Sequence, residues 1–456
     1  MAKAYDVVIV GGGVAGLVAA LEAANAGKSA LLLEASQRLG GAVQGVELAG
    51  VNVDVGAESY AVTRPDTIAL IEQLGLTAQS EEPRKSDSRL VVPNGTFPMP
   101  HALLGIPTDP LAADVVAIIG EQAASAAAAL DDAPVPSHWD AEITLGALVR
   151  QRLGDPIADL ITTPVVGGVH ALHPDLAEAE AISPGITAAT IKHGGLSKAA
   201  AAMRAASGVP GSAVRGLSGG MSTLVTSLVA TLNSKDVDLR TGVPVRNVRR
   251  SGTQWSVSTE SYRFTADHVL VALDARNAAS VLSEVPDIHA CLSRMHVGDV
   301  IVFAAVIDSP VLDEDPLGSG ALIAPSTPQL RAKALTHSSS KWAWVREAYG
   351  SGRHMIRLSY GRDGVIQERI EDLPQIAHAD LELLLGAPLP AFIDTHVARW
   401  NGSLLHPRVG HRANVAELRA AIARTSGLSV AVAGMAGNGL AGTIGQARAS
   451  IAQMGN

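Results

Sequence analysis

The stretch Gly11-x-Gly13-x-x-Gly16 is the first place where residue type and spacing imply chemistry. It lies between a β-branched run, Tyr5–Val10, and an apolar helical stretch, Val14–Ala26. Gly11 permits a tight turn, Gly13 lets backbone approach a pyrophosphate, and Gly16 lets helix pack on strand. With Gly12, Val14 and Ala15 around its start, that helix offers unpaired N–H groups and a favourable dipole end to an anion. Glu34 closes a second buried run, Ser29–Leu33, about 20 residues on, where an acid hydrogen-bonds an adenosine ribose. Strand, glycines, helix, strand and acid in register read as a dinucleotide site. NAD and FAD fit this much equally.

Ala35 and Arg38 follow the acid, then Gly40, Gly41 and Ala42. Glycines there suit a loop passing close to the dinucleotide, and Arg38 can meet phosphate charge. Next comes a short polar turn, Asp54-Val-Gly56-Ala57-Glu58-Ser59. Much later, Gly219-Gly220-Met221 opens a helix, followed by Val243-Pro-Val245 and the run Ala266–Ala272. Near the end, Val432-Ala-Gly434 leads into Gly437-Asn438-Gly439-Leu440. This combination resembles the flavoprotein group of amine oxidases, phytoene desaturases and protoporphyrinogen oxidases. The resemblance implies FAD, held by the two N-terminal glycine loops, the Gly56–Ser59 turn, Val245, and a terminal loop carrying Gly434, Asn438, Gly439 and Leu440. Cys291 lies far along the chain from that loop, so the FAD is expected to be non-covalent.

Block by block, the chain resembles the oxygen-dependent protoporphyrinogen and coproporphyrinogen oxidases of haem synthesis. The matching blocks are DVGAESYAVTRPDTIALIEQLGL, SRLVVPNGTFPMP with GIPTDP, PVVGGVHALHPDLAEAEAISP, and RWNGSLLHPRVGH. The resemblance implies that Arg89 binds a propionate, as a guanidinium suits a carboxylate, and that the Gly168 carbonyl faces the substrate. His170 stands beside it at a position where the family varies. A porphyrinogen would be oxidised, coproporphyrinogen III in preference to protoporphyrinogen IX, with O2 as acceptor and peroxide as product. A weak peripheral membrane contact, a transient contact with a metal-inserting enzyme of the haem pathway, and the oligomeric state stay open. The terminal loop departs from the family by being short and lacking an aromatic residue.

The elements that must position these residues read as an α/β protein. A Rossmann-like FAD-binding domain is expected from residues 1–82, 208–285 and 425–456. A mixed β substrate-binding domain is expected from 83–105 and 286–424, and an inserted helical domain from 106–207. Asn94-Gly95 is a hairpin signal. A single Ala-rich helix is expected over Leu111–Leu130, within a helical stretch reaching Met203. The glycine-rich Gly208–Gly220 stretch opens a helix over Met221–Leu232. Strands are expected at Val237–Leu239, Val243–Val248, Trp255–Ser258, His268–Ala272, Val300–Ile307, Ile323, Trp342–Val345, His354–Tyr360 and Leu428–Val432. Helices are expected over Ile376–Leu385 and Gln446–Met454, with a further element over Ala391–Arg399.

Composition narrows the partners. At 47% apolar and 17% charged, the chain has the make-up of a folded protein. A net charge of −9 disfavours nucleic acid. The one cysteine excludes internal disulfides and fits a cytoplasmic setting. Asp114, Glu121 and Gln122 interrupt the best apolar stretch, which reads as a helix of a soluble protein. His170 and His173 lack any accompanying metal-ligand pattern, so no metal is expected. An amine oxidase would share the scaffold, yet no Phe, Tyr or Trp follows Trp400 to flank a flavin. A carotenoid desaturase would share the N-terminal half. Outside catalysis, a protein that only binds FAD or a porphyrin would fit the same motifs.

Overall fold

A computed structural model describes residues 4–62, 64–206, 214–437 and 439–455. Its first sheet runs Asp238–Arg240, Ala30–Leu33, Ala4–Val10, Arg263–Val271, Gln254–Thr259 and Val245–Ser251. A seventh strand, Leu428–Val430, pairs in parallel with Arg263–Val271. The core strand Ala4–Val10 is parallel to both neighbours, with Val8 beside Leu31 and Val269. Its continuous apolar run follows from burial on two faces. Val7 and Ile9 pack among Leu17, Leu21 and Ile444. Val8 and Val10 pack on the other side with Val257, Leu282 and Leu418. Three separated stretches of chain thus end side by side, after Val10, Val271 and Val430.

A second seven-stranded sheet stands against the first assembly, ordered Asp394–His406, His296–Asp308, Arg353–Tyr360, Ala334–His337, Gly320–Ile323, Ser88–Val92 and Gly95–Pro98. Alternation along the long strand His296–Asp308 sorts its faces. Ile301, Phe303 and Ile307 pack against Leu373, Ala377 and Leu381 of the Leu373–Leu385 helix. Val302, Ala304 and Val306 face Val53, Val55 and Trp342. The Asn94-Gly95 hairpin is present, with Val92 beside Gly95.

Between the first two strands of that sheet region and the glycine-rich stretch lies a helical layer, with Leu148, Ile161 and Val166 at its centre. The expected single helix over Leu111–Leu130 is two, Ala113–Ile119 and Glu121–Asp132, meeting at 116°. Gly120, at φ +83°, sits at the break in a conformation that other residues rarely adopt. Among the described residues no single helix is long and apolar enough to cross a membrane. The glycine-rich stretch lies outside the described residues through position 213; Val214–Leu217 is a strand, and the helix after it spans Ser222–Ser234.

Two other expectations change. Trp342–Val345 is not a strand: Ala343–Tyr349 is a helix. Trp342, Val345 and Tyr349 fall at helical spacing and bury against one cluster. The Ala391–Arg399 stretch enters the strand Asp394–His406, whose partner is His296–Asp308.

Candidate active site

The first helix begins at Val14 behind an extended Gly13, with no side-chain cap and no acid in its first turn. Its leading N–H groups are therefore left for an outside anion. A Cβ at Gly11 would collide with the Ala272 carbonyl, and one at Gly16 with the Gly11 carbonyl. Glu34 turns back over this loop: its Oε2 accepts the Gly12 N–H at 2.7 Å and its Oε1 the Ser36 N–H at 2.8 Å. Ala35 is exposed beside it.

The second glycine loop lies on the first. Gly40 N–H donates to the Gly12 carbonyl at 2.8 Å, and Gly41 approaches Gly13 so closely that a Cβ on it would stand 3.0 Å from the Gly13 Cα. Gly41 and Ala42 present an open backbone surface. Arg38 donates to the Gly41 carbonyl at 3.0 Å and lies over the Trp400 ring. Ala57 N–H in turn donates to the Ala42 carbonyl at 3.0 Å, tying the Gly56–Ser59 turn to the cradle.

Trp400 closes this corner. Its Nε1 donates to the Val55 carbonyl at 3.1 Å, and its ring packs where a Gly56 side chain would be. Nothing in its local sequence marks it for this place beyond its position in a matching block.

Glu58 is committed within the protein. Its carboxylate meets Lys341, and Arg357 Nη1 at 2.9 Å, while Arg357 also donates to the Gly56 carbonyl at 3.0 Å. Burial would raise the Glu58 pKa, but the two cations outweigh it and hold it at about 2. Glu58 thus fixes the turn to the second sheet, and the turn offers backbone to a ligand. Ser59 follows half-buried.

Val245 begins its strand next to the end of the acid's strand, where Val243 N–H donates to the Glu34 carbonyl at 2.9 Å. The terminal loop completes the ring of contacts. Gly434, at φ +90°, presses on Leu405, and its carbonyl accepts from His411 Nε2 at 3.3 Å. Gly439 is the extended residue before the last helix, Leu440–Ala452, which again has no side-chain cap. Asn438 lies outside the described residues. A cavity of about 920 Å³ opens against this loop, lined by His170, Leu405, Pro407, His411, Gly434 and Gly437 among others.

Gly168 and His170 lie in the last turn of the helix Thr163–His170. Gly168 rests on the second sheet, where a Cβ would stand 2.5 Å from Leu322 Cδ2. His170 Nδ1 is buried without a hydrogen-bond partner, and burial pushes its pKa down to about 4. Arg89 is not brought to them. It pairs with Ala321, and both share the sheet face of Val91 under the Leu373–Leu385 helix, whereas Leu90 and Leu322 face Gly168. Strand alternation separates neighbouring residues in this way. Among the described residues, no group of three or more His, Cys, Asp or Glu side chains could hold a metal ion.

Open glycine backbone at the carboxyl edge of a parallel sheet, two uncapped helix starts and an acid over the first turn suit a bound dinucleotide. Residues 14–447 match the model of the flavin-containing amine oxidoreductases. The chain belongs to that family, and is an oxidoreductase with a flavin. Its relatives within the family include the coproporphyrinogen III oxidase of Bacillus subtilis (strain 168), 28% identical over 98% of this chain and 97% of the relative. The coproporphyrinogen III oxidase of Mycobacterium leprae (strain TN) is 30% identical over 97% of this chain and 96% of its own. A solved structure of a proposed protoporphyrinogen oxidase from Exiguobacterium sp. 255-15 superposes with a TM-score of 0.84 at 26% identity, covering 100% of this chain and 99% of that one.

Proposed function

We propose that the chain holds FAD non-covalently and oxidises coproporphyrinogen III to coproporphyrin III, with O2 as acceptor and H2O2 as product. The observation that carries this reading is the near full-length likeness to coproporphyrinogen III oxidases, on a chain with a glycine cradle of the right shape. The chemistry supplied by bound flavin is two-electron acceptance, a hydride from a bridging carbon, with the electrons passing on to O2.

The protein's part is position and electrostatics. The N–H groups at the start of the first helix hold the pyrophosphate, and Glu34 hydrogen-bonds the adenosine ribose. Gly40 to Ala42, Gly56 and Ala57 give the ring a flat backbone bed, kept in place by Arg38, Trp400 and the Glu58 ion triad. Gly434, Gly439 and Leu440 bring the terminal loop to the same cofactor, and Val245 stands at the nucleotide end. The Gly168 carbonyl accepts a pyrrole N–H, and His170, neutral at working pH, supplies an uncharged imidazole beside it. Arg89 faces the other side of its sheet and carries no step. Cys291 is buried and its sulfur accepts from Arg294 at 3.4 Å, which supports a flavin without a thioether link.

The test is purification followed by heat or acid release of the chromophore, then turnover with both porphyrinogens. Released FAD, coproporphyrin fluorescence and stoichiometric peroxide are expected. Colourless protein that takes up no flavin, or a strong preference for protoporphyrinogen, would overturn the corresponding half of the proposal.

A further inference from the structure

A second cavity, about 550 Å³, lies between the end of the Pro286–Ser293 helix and the start of the His411–Arg424 helix. Its charged and titratable lining is Arg294, His296, His406, Arg408, His411 and Glu417. The single acid is already used: Glu417 takes Arg294 Nη2 at 2.5 Å. Arg408 is half-buried; among the described residues no acid pairs with it, and its Nε is buried without a hydrogen-bond partner. His406 is 2% exposed, and its Nε2 is likewise unpartnered.

Behind His406 stands Lys333, 2% exposed, whose ammonium pKa burial pulls down to about 7; among the described residues no acid lies within ion-pair distance of it. Asp363, the acid that acts on it, spends one oxygen on the His173 N–H at 2.6 Å. Burial first, and then the nearby Arg408 and Lys333, keep His406 unprotonated, against the opposing charge of Asp363. A buried polar nitrogen without a hydrogen-bond partner is costly, and the two such nitrogens here, Arg408 Nε and His406 Nε2, belong to residues that line a cavity whose one acid is already paired. The start of the His411–Arg424 helix, at Gly410, His411 and Ala413, adds its dipole to the same space.

We propose that this cavity is an anion site that receives a carboxylate arm of an acidic tetrapyrrole, with Arg408 and His406 as its donors. The ligand's identity rests on the function proposed above; the anion site does not. His411 lines this cavity and also the larger one at the terminal flavin loop, so the two spaces share a wall and the anion site adjoins the proposed reaction space. A substrate with four propionates gains a contact that one with two lacks.

The test uses the flavin-loaded full chain, with coproporphyrin III and benzene-1,2,4,5-tetracarboxylate as probes. Wild type is compared with Arg408→Gln, Arg408→Lys and Ala413→Glu. The last adds an acid at an exposed cavity-lining position where a helix start tolerates it, so folding is preserved. Arg408→Gln and Ala413→Glu should each weaken both probes about tenfold or more, since a charge-assisted hydrogen bond is lost or opposed. Arg408→Lys should restore most of the binding, with flavin content unchanged throughout. Equal binding of both probes by wild type and Ala413→Glu overturns the site. Absence of porphyrinogen turnover with tetracarboxylate binding still sensitive to Ala413→Glu sinks the functional reading and leaves the anion site standing.

Discussion

Gly41 stands against Gly13 with its backbone at φ +59°, and a methyl group on it would lie only 3.0 Å from the Gly13 Cα. Gly41→Ala therefore meets both a strained backbone and a tight contact with main chain. Flavin affinity should fall by about tenfold or more, with the fold intact by circular dichroism. Fluorescence titration of the flavin-free protein measures this, and a normal dissociation constant would show that the two loops do not share one ligand.

Glu58→Gln leaves Lys341 and Arg357 facing a neutral amide in a largely buried site. Removing one member of such a group costs about 3–5 kcal/mol. The wild-type contribution has a defined pH window. Because the folded pKa of Glu58 is depressed to about 2, its stabilisation is present above the ordinary carboxylate value of 4.5 and is lost as pH falls through 2. Urea melts at pH 7 and pH 3 should show the gap between wild type and variant narrowing on the acid side.

Burial holds three neutral imidazoles far below their usual 6.5: His170 and His406 at about 4, His337 at about 3. Unfolded histidines take protons near 6.5, so between that value and about 4 the unfolded chain binds more protons than the folded one. Stability should drop as pH falls through this window. His170→Gln should flatten the decline by one proton, read from melting temperature against pH. An unchanged slope would mean that His170 titrates normally.

Gly168→Ala pushes a methyl group into Leu322, a flexible side chain that can yield. The expected stability loss is about 1–3 kcal/mol, as for mild overpacking. If Gly168 faces substrate, kcat/KM for the porphyrinogen falls while flavin content stays normal. Loss of flavin instead would move Gly168 from the substrate wall to the cofactor's support.

The glycine loops were legible in the sequence because backbone sterics leave few substitutes: Gly11 and Gly16 each abut a carbonyl where any side chain would collide. The core strand was legible because burial on both faces writes itself as an unbroken apolar run. Other parts were hidden for equally physical reasons. Gly120 divides an alanine-rich stretch whose composition favours helix on both sides, so only its φ of +83° reveals the bend. Trp342 and Val345 look like strand formers, yet their spacing buries them from a helix. Which face Arg89 takes depends on strand register, not on its neighbours in sequence. The grouping of Lys333, His406 and Arg408 arises from tertiary contact between loops and strand ends, and no local spacing encodes it.

The strand Leu428–Val430 sits beside Arg263–Val271 and delivers the last loop of the cradle. The cradle is therefore unfinished until that strand has docked beside Arg263–Val271, and coenzyme capture waits for this long-range pairing. A truncation placed just before Leu428 should yield a colourless, protease-sensitive product.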